Sequence, residues 1–503
     1  MMRFQLGGVA YGRAAPGAGF PKQSGTAPLP AEPRESVARS ANLGGTANAF
    51  FVPWHGDGNA FFLIPLYHKQ GVMDMLDIGF IRERAADVQR AADRKGIKLS
   101  VGELLAVDER RRAQLRETEA LRAERNRSSK AIEGLLREGR KAEAEREKAA
   151  SAAALAKLKA LEEQLRQTER LYEVLMLQVP NIISPDTPDG ADDRDNVEIR
   201  RVGEPPAFGF GPRSHVELGE SLGIVDLARG VKIGGARQYV LKNGGLLLHR
   251  AVQQLALDLL HRKGFDLLDV PALVKEGTML ATGFFPGGRD QSYAVQGEDK
   301  WLAGTSEVPL VSYYAGEIID LDRPKLLGAA SACYRSEVGS AGRDVHGLYR
   351  VHQFAKVEQV VLCRAEQDEG LAWLERLTAN SEELLRLLEL PYRVVAVCGG
   401  DLSAKNHKQY DIDTWMPSRD DYGETHSASL LLDYQARRSN IRYRDEDGRL
   451  RHPYTLNNTM AATPRILIPL LENHQREDGS VRVPEALRPY MYGLEALRPE
   501  TEA

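Results

Sequence analysis

Between Val101 and Val179 the chain has no proline and is dominated by Ala, Leu, Glu, Lys, Arg and Gln, the strongest helix formers. In its second half Leu158, Leu161, Leu165, Thr168, Tyr172, Leu175 and Val179 recur at alternating steps of three and four, a heptad seam. Thr118, Leu121, Ser128, Ile132 and Leu135 carry a weaker matching seam, and Gly139 offers a reversal point between the two. The pattern predicts two antiparallel helices of about 35 residues, projecting about 50 Å. Such an arm is too thin to enclose a pocket, so chemistry has to lie elsewhere. A dimerisation coiled coil is the alternative reading of the same pattern.

A chain of 503 residues has room for about three units. Its net charge of −4 means that any polyanion must be held by a local basic surface. Cys333, Cys363 and Cys398 show no C-x-x-C spacing, so neither a disulfide framework nor a zinc site is encoded, and a reducing cytoplasm fits. No apolar run approaches the ~20 residues that span a bilayer. Residues 1–72 are rich in Gly, Pro, Ala and Ser without a clear period, which predicts a disordered extension or a mis-assigned start, with order beginning near Met73 or Met75.

The stretch PNIISPDTPDGADDRDN breaks the second helix. Beyond it LLLHRAVQQLALDLLHRKG reads as an amphipathic helix ending at Gly264, and FDLLDV, WLAGTSEV, YRVVAVC and YDIDTWM read as strands. The mixture predicts an α+β domain around an antiparallel sheet.

Three clusters could carry chemistry. In CYRSEVGSAGRDVHGLYRVHQFAKVE, Arg335 and Glu337 read as sharing one face of a short strand, a long loop follows, and Arg350, Phe354 and Glu358 read as sharing one face of the next. Charges on one face of a sheet usually meet water. Two arginines, two carboxylates and an aromatic ring together also suit a phosphate beside a base. In TLNNTMAATPRILIPLLEN, Thr463 reads as an N-cap, Pro464 as the first helical residue and Arg465 as part of the first turn, facing either an anion or solvent. In YGETHSASLLLDYQARR, Glu424 and Ser427 could share a hard cation such as Mg²⁺. His352 and His426 lack a recognisable nucleophile arrangement and read as structural. There is no P-loop motif.

Taken in order, GTSE, the Cys333–Glu358 stretch, ETHSAS with DYQARR, NNTMAATPR and VRVPEALRPYM resemble a bacterial-type seryl-tRNA synthetase, of class II, from about Met75 to Gly493. The resemblance implies a tRNA-binding helical arm at 73–185, a linker at 186–198, a class II catalytic domain at 199–495, its antiparallel sheet flanked by helices, and a tail at 496–503. It implies a homodimer whose dimer-forming element ends at Pro271. It further implies that Arg335 and Arg465 are catalytic. ATP would meet Arg335, Ser336, Glu337, Arg350, Val351, Phe354, Glu424, Thr425, His426, Ser427 and Arg465, with Mg²⁺ on Glu424 and Ser427. L-serine would meet Thr305, Ser306, Glu307, Arg335, Glu358, Asn457 and Thr459. The implied partners are ATP, L-serine and tRNA(Ser), with tRNA(Sec) left open. The chain departs from the family pattern at His426–Leu430, where many relatives have Ser-Ser-Cys-Ser-Asn, and at Asn457–Thr459, where many have Asn-Gly-Ser. Thr459 keeps a hydroxyl and Leu430 has no polar group.

Overall fold

A computed structural model describes residues 51–52, 62–63, 76–339 and 346–499. The chain divides into two units, Met1–Gly71 and Val72–Ala503. Among the described residues the first holds one antiparallel ladder, Phe51–Val52 with Phe62–Leu63. The rest of the expected extension, the middle of the Gly/Ser/Asp-rich loop (residues 340–345) and the last four residues of the tail lie outside the described residues.

The second unit opens with α1 (Ile78–Glu83) and α2 (Ala85–Arg94), followed by the arm helices α3 (Val101–Arg137) and α4 (Lys141–Gln178). Ser100 starts α3 by accepting the Glu103 N–H at 3.2 Å, as an N-cap should. The reversal falls on Gly139: its φ is +77°, and Leu136 and Leu135 accept the Gly139 and Arg140 N–H groups at 3.2 and 2.9 Å. That left-handed conformation is open to glycine without a Cβ penalty. The expected seam is the interface. Leu158, Leu161, Leu165, Thr168, Tyr172 and Leu175 are buried on α4, and Thr118 is buried on α3, with Leu121, Ser128, Ile132 and Leu135 half-buried. Glu117 with Lys157 (2.8 Å) and Arg122 with Glu162 (2.9 Å) flank the seam. At the arm's root, Tyr172, Leu175, Met176 and Val179 join Ile81, Val88, Leu99 and Leu104 in a separate core.

The remaining chain is built on one eight-stranded sheet of β1 (Val197–Val202), β2 (Asp266–Leu267), β3 (Lys325–Tyr334), β4 (Gln353–Cys363), β5 (Tyr392–Ala396), β6 (Lys408–Met416), β7 (Asp421–Leu430) and β8 (Tyr454–Thr463). The order is β1-β5-β6-β7-β8-β4-β3-β2. Every pairing is antiparallel except β2 with β3. The helices α5 (Asn243–Arg262), α6 (Glu307–Ser312), α7 (Gln367–Leu387) and α8 (Leu467–Asn473) complete the frame. Val252, Leu255 and Leu259 of α5 and Leu374, Leu377 and Leu384 of α7 share a core with Val357, Val361, Ile412, Ala428 and Ala461 of the sheet. The opposite sheet face is left for the site, with Val360 and Leu362 packed against Leu310 and Val311 of α6 at its end.

Four local expectations are corrected. FDLLDV pairs only at Asp266–Leu267, because it is an edge that meets β3 for two residues; Leu268 and Val270 are apolar because they pack on the α6 core. In WLAGTSEV only Trp301–Leu302 is strand, and GTSE turns into α6. The strand before Arg335 ends at Tyr334, and Glu337 has φ +51°. Thr463 caps no helix: it pairs with Ala355 as the last residue of β8, and α8 begins only at Leu467, leaving Arg465 in the turn between them.

Leu165→Ala should weaken the arm alone, by about 2–4 kcal/mol for a buried leucine. Amide hydrogen exchange should quicken across 101–178 while the sheet strands keep their protection. Equal loosening of the sheet would contradict an arm with its own seam.

Candidate functional site: one face of the sheet

Two β-bulges collect the polar residues. On β7, Ile412 pairs with His426 and Asp413 with Glu424, so Thr425 is the extra residue. The alternation is thereby reset, and Glu424 joins Ser427 and Ser429 on the cavity side. On β8, Val357 pairs with Ala461 and Glu358 with Thr459, so Met460 is extra. Asn457, Thr459 and Ala462 therefore line the cavity, while Met460 and Ala461 stay in the core. The space these residues enclose is about 260 Å³.

One end of the cavity is cationic. Arg335 donates from Nε to the Gly304 carbonyl at 3.3 Å, and its guanidinium lies 5.2 Å from the centre of the Phe354 ring. Arg350 reaches Glu337 at 3.3 Å from its position before β4, not on the strand face expected for it. Arg465 donates to the Tyr349 and Glu424 carbonyls, both at 3.2 Å, and lies 4.5 Å over the Tyr349 ring. Val351 and Thr425 line the same space.

The other end holds buried charge in pairs. Glu307 accepts from Lys405 and, at 2.7 Å, from Gln435. Thr305, beside it, accepts the Glu307 N–H at 3.1 Å. Glu358, 1% exposed, is on the same face of β4 as Lys356 and is paired with it. Burial pushes the Glu358 carboxyl up while Lys356 pulls it back, and burial pulls the Lys405 ammonium down against the attraction of Glu307. Asn457 faces the cavity with its Nδ2 lacking a hydrogen-bond partner among the described residues. A buried donor left in this way is suited to a ligand.

Opposite Ser427 stands Asp411. Its carboxyl is raised well above the usual range by burial and then by the like charge of Glu424. Next along β6, Asp413 is pushed up to about 6 by burial despite Arg393, 3.0 Å away.

Four expected residues do not line the cavity. Ser336 is turned away, its Oγ donating to the Asp290 carbonyl at 2.6 Å. Ser306 is buried ahead of α6, Glu358 is buried on the cavity's side of β4 against Lys356, and His426 is buried with its Nδ1 2.8 Å from Thr425 Oγ1. Leu430 belongs to the helix-covered core. Sequence reasoning missed Phe284, Tyr349, Lys356, Ser403, Lys405, Asn406 and Gln409, all of which line the cavity. The period of two did contain a signal for Lys356, between Phe354 and Glu358. The turn around Lys405 and Asn406 carries no pattern of its own.

His426 makes a pH test possible. Burial, and then Arg465, hold its pKa down to about 4, against about 6.5 in an unfolded chain. The unfolded state binds more protons between those values, so this contribution is complete above pH 6.5 and is lost as pH falls through 4. His426→Asn should remove on the order of 2–3 kcal/mol of that acid-side loss, read as a flatter decline of the thermal midpoint between pH 6.5 and 4. Parallel curves for variant and parent would contradict a neutral buried imidazole.

Residues 75–183 match the seryl-tRNA synthetase N-terminal domain, and residues 293–474 match the tRNA synthetase class II core domain (G, H, P, S and T). The serine–tRNA ligase of Deinococcus radiodurans is 49% identical over 424 residues, covering 84% of this chain and 99% of that protein. That of Rubrobacter xylanophilus is 44% identical over 434 residues, covering 84% and 99%. Among solved structures, the Pyrococcus horikoshii seryl-tRNA synthetase complexed with ATP superposes with a TM-score of 0.77 at 37% identity, covering 85% of this chain and all of that one. The sheet, the arm before it and the sequence matches agree: the chain belongs to the seryl-tRNA synthetase family.

Proposed function

We propose that the cavity activates L-serine with ATP and that the arm presents tRNA(Ser) for the second step, making the chain a serine–tRNA ligase. The observation that carries this is the convergence on one cavity of three arginines at one end and the buried Glu307–Lys405 pair at the other.

In the first step a serine carboxylate oxygen attacks the α-phosphorus of ATP, and pyrophosphate leaves. The carboxylate is already ionised near neutral pH, so no general base is needed. Arg335 is assigned to the α-phosphate, Arg350 and Arg465 to the outer phosphates, Glu337 to the adenine amino group and Phe354 to the adenine face. The guanidinium groups offset charge that grows on the phosphoryl oxygens. Thr305, Glu307, Asn457 and Thr459 are assigned to serine, with Glu358 acting through Lys356 beside it on β4. A pocket that hydrogen-bonds the serine hydroxyl leaves its groups unpaired with alanine, a discrimination of up to ~10⁴. In the second step a terminal ribose hydroxyl of tRNA takes the seryl group, and AMP leaves.

Glu424 and Ser427 are proposed to hold Mg²⁺. The donor set fits: the hard oxygens of Glu424 and Ser427 face the same cavity. When bound, the ion would supply charge neutralisation to the phosphates.

The proposed divisions are an extension at 1–72, the arm at 73–185, a linker at 186–198, the catalytic domain at 199–495 and a tail at 496–503. Arm arginines and lysines would meet tRNA phosphates, recognition by shape more than by sequence. A homodimer through α5 and the segment from β2 to Pro271 is supported by the exposed Leu267 and Leu273, at 40% and 47%. tRNA(Sec) is carried as a second acceptor for the same transfer assay. The proposed compartment is the cytoplasm; among the described residues no helix is long and apolar enough to cross a membrane.

Arg335→Ala should slow serine-dependent pyrophosphate exchange by about 10²–10³, the scale of removing one charged transition-state contact. An unchanged rate would remove Arg335 from its role. Deleting residues 110–172 brings together ends that lie close, since Arg111 is 4.6 Å over the Tyr172 ring just inside the cut, and takes only Tyr172 from the root core. Joined by a short glycine turn, that variant should keep exchange and lose serine transfer to tRNA. Loss of both activities together would contradict the division of labour.

A further inference from the structure

The loop between β5 and β6 has its backbone on the arm's root and its side chains in the cavity. Lys95, at the end of α2, is 8% exposed, and its ammonium donates to the carbonyls of Asn181 (3.0 Å), Ala404 (3.1 Å) and Asn406 (2.6 Å). Asn181, just beyond α4, donates its N–H to Ala404 at 2.8 Å and its Nδ2 to Lys405 at 3.0 Å and Leu431 at 2.6 Å. The three successive carbonyls of residues 404–406 are therefore all taken by two residues from the arm's root. From the same loop, Lys405 pairs with Glu307 and lies 3.9 Å from the Phe284 ring centre, while Asn406 donates to Gln409 and, at 3.2 Å, to Ser429.

We infer that Lys95 is a positioning residue for serine activation: two of its three hydrogen bonds, to the Ala404 and Asn406 carbonyls, fix the loop at 404–406 so that Lys405 holds Glu307 in the serine end of the cavity. Lys95 does not line the cavity, so it acts only through the loop. In its charged form, which burial disfavours by pulling the Lys95 pKa down to about 7, the ammonium provides three donors from one compact group, which matches three carbonyls converging from two segments. A methionine at the same place retains the apolar stem but leaves those carbonyls without their buried partner. The arginines of the ATP end hang from β3, from the approach to β4 and from the turn after β8. Disturbance of the loop should therefore fall on serine and spare ATP.

The inference rests on the serine-activating reading, and the test separates the two. Wild-type chain without serine-dependent pyrophosphate exchange would overturn that reading itself. With the wild type active, Lys95→Met should raise KM for serine about tenfold while KM for ATP stays within twofold, and Lys95→Arg should recover part of the serine KM. If Lys95→Met does not fold, Asn181→Asp, isosteric but without its Nδ2 donor to Lys405, carries the test and should show the same split. An unchanged serine KM in a folded variant, or equal changes in both KM values, would reduce Lys95 to a packing role and overturn the inference.

Discussion

Glu307 with Lys405 and Glu358 with Lys356 place four ionisable groups where water scarcely reaches, and stranding any one of them would cost several kcal/mol. That constraint organises the surroundings. Lys356 and Glu358 lie two apart on one strand and meet by pleat alone. Glu307 and Lys405 are 98 residues apart and meet only if α6 and the β5–β6 loop are both held. The helices on the far face of the sheet supply apolar burial, which leaves this face free to be polar. The paired charges then define a small anionic and cationic mosaic suited to a zwitterion, next to an end suited to phosphates.

The features that could be read from the sequence are those with a period. The arm's seam needed only steps of three and four, and Gly139 needed only to be the glycine between two long runs. Phe354 and Glu358 follow from the alternation of β4. Reasoning from local pattern failed where the ladder overrode it. Thr463 and Pro464 have the composition of a helix start, yet β4 keeps a partner open for Thr463 and the strand continues. The bulges at Thr425 and Met460 were invisible for a related reason. Each adds one residue opposite an unbroken strand, and nothing in ETHSAS or NNTMAAT marks the extra position. The local reading of His426 as structural fits its burial; its place among the ATP contacts came from the resemblance alone. Lys405 and Asn406 had no periodic context at all; their place is set by hydrogen bonds to their carbonyls from Asn181 and Lys95, more than 200 positions away.

The bulges also explain why so many functional types fit on so few strands. An unbroken β7 would direct Glu424 to the same side as His426 and Ala428. With one residue inserted, a carboxylate and two hydroxyls face the same space, and an imidazole is buried behind them. The departures from the family pattern settle along the same division. Leu430 falls on the apolar side and Thr459 on the polar one.

Among the described residues the arm is a lever of about 55 Å with no third layer to brace it. A tilt of about 5° at its base would sweep the Gly139 turn through about 5 Å on that length, roughly the spacing of neighbouring phosphates along a nucleic-acid strand. Aim at the tip is therefore decided by stiffness at the hinge, where Lys95 and Asn181 lock onto backbone carbonyls. The same few bonds that seat Lys405 beside Glu307 would also limit how far the distant turn could wander.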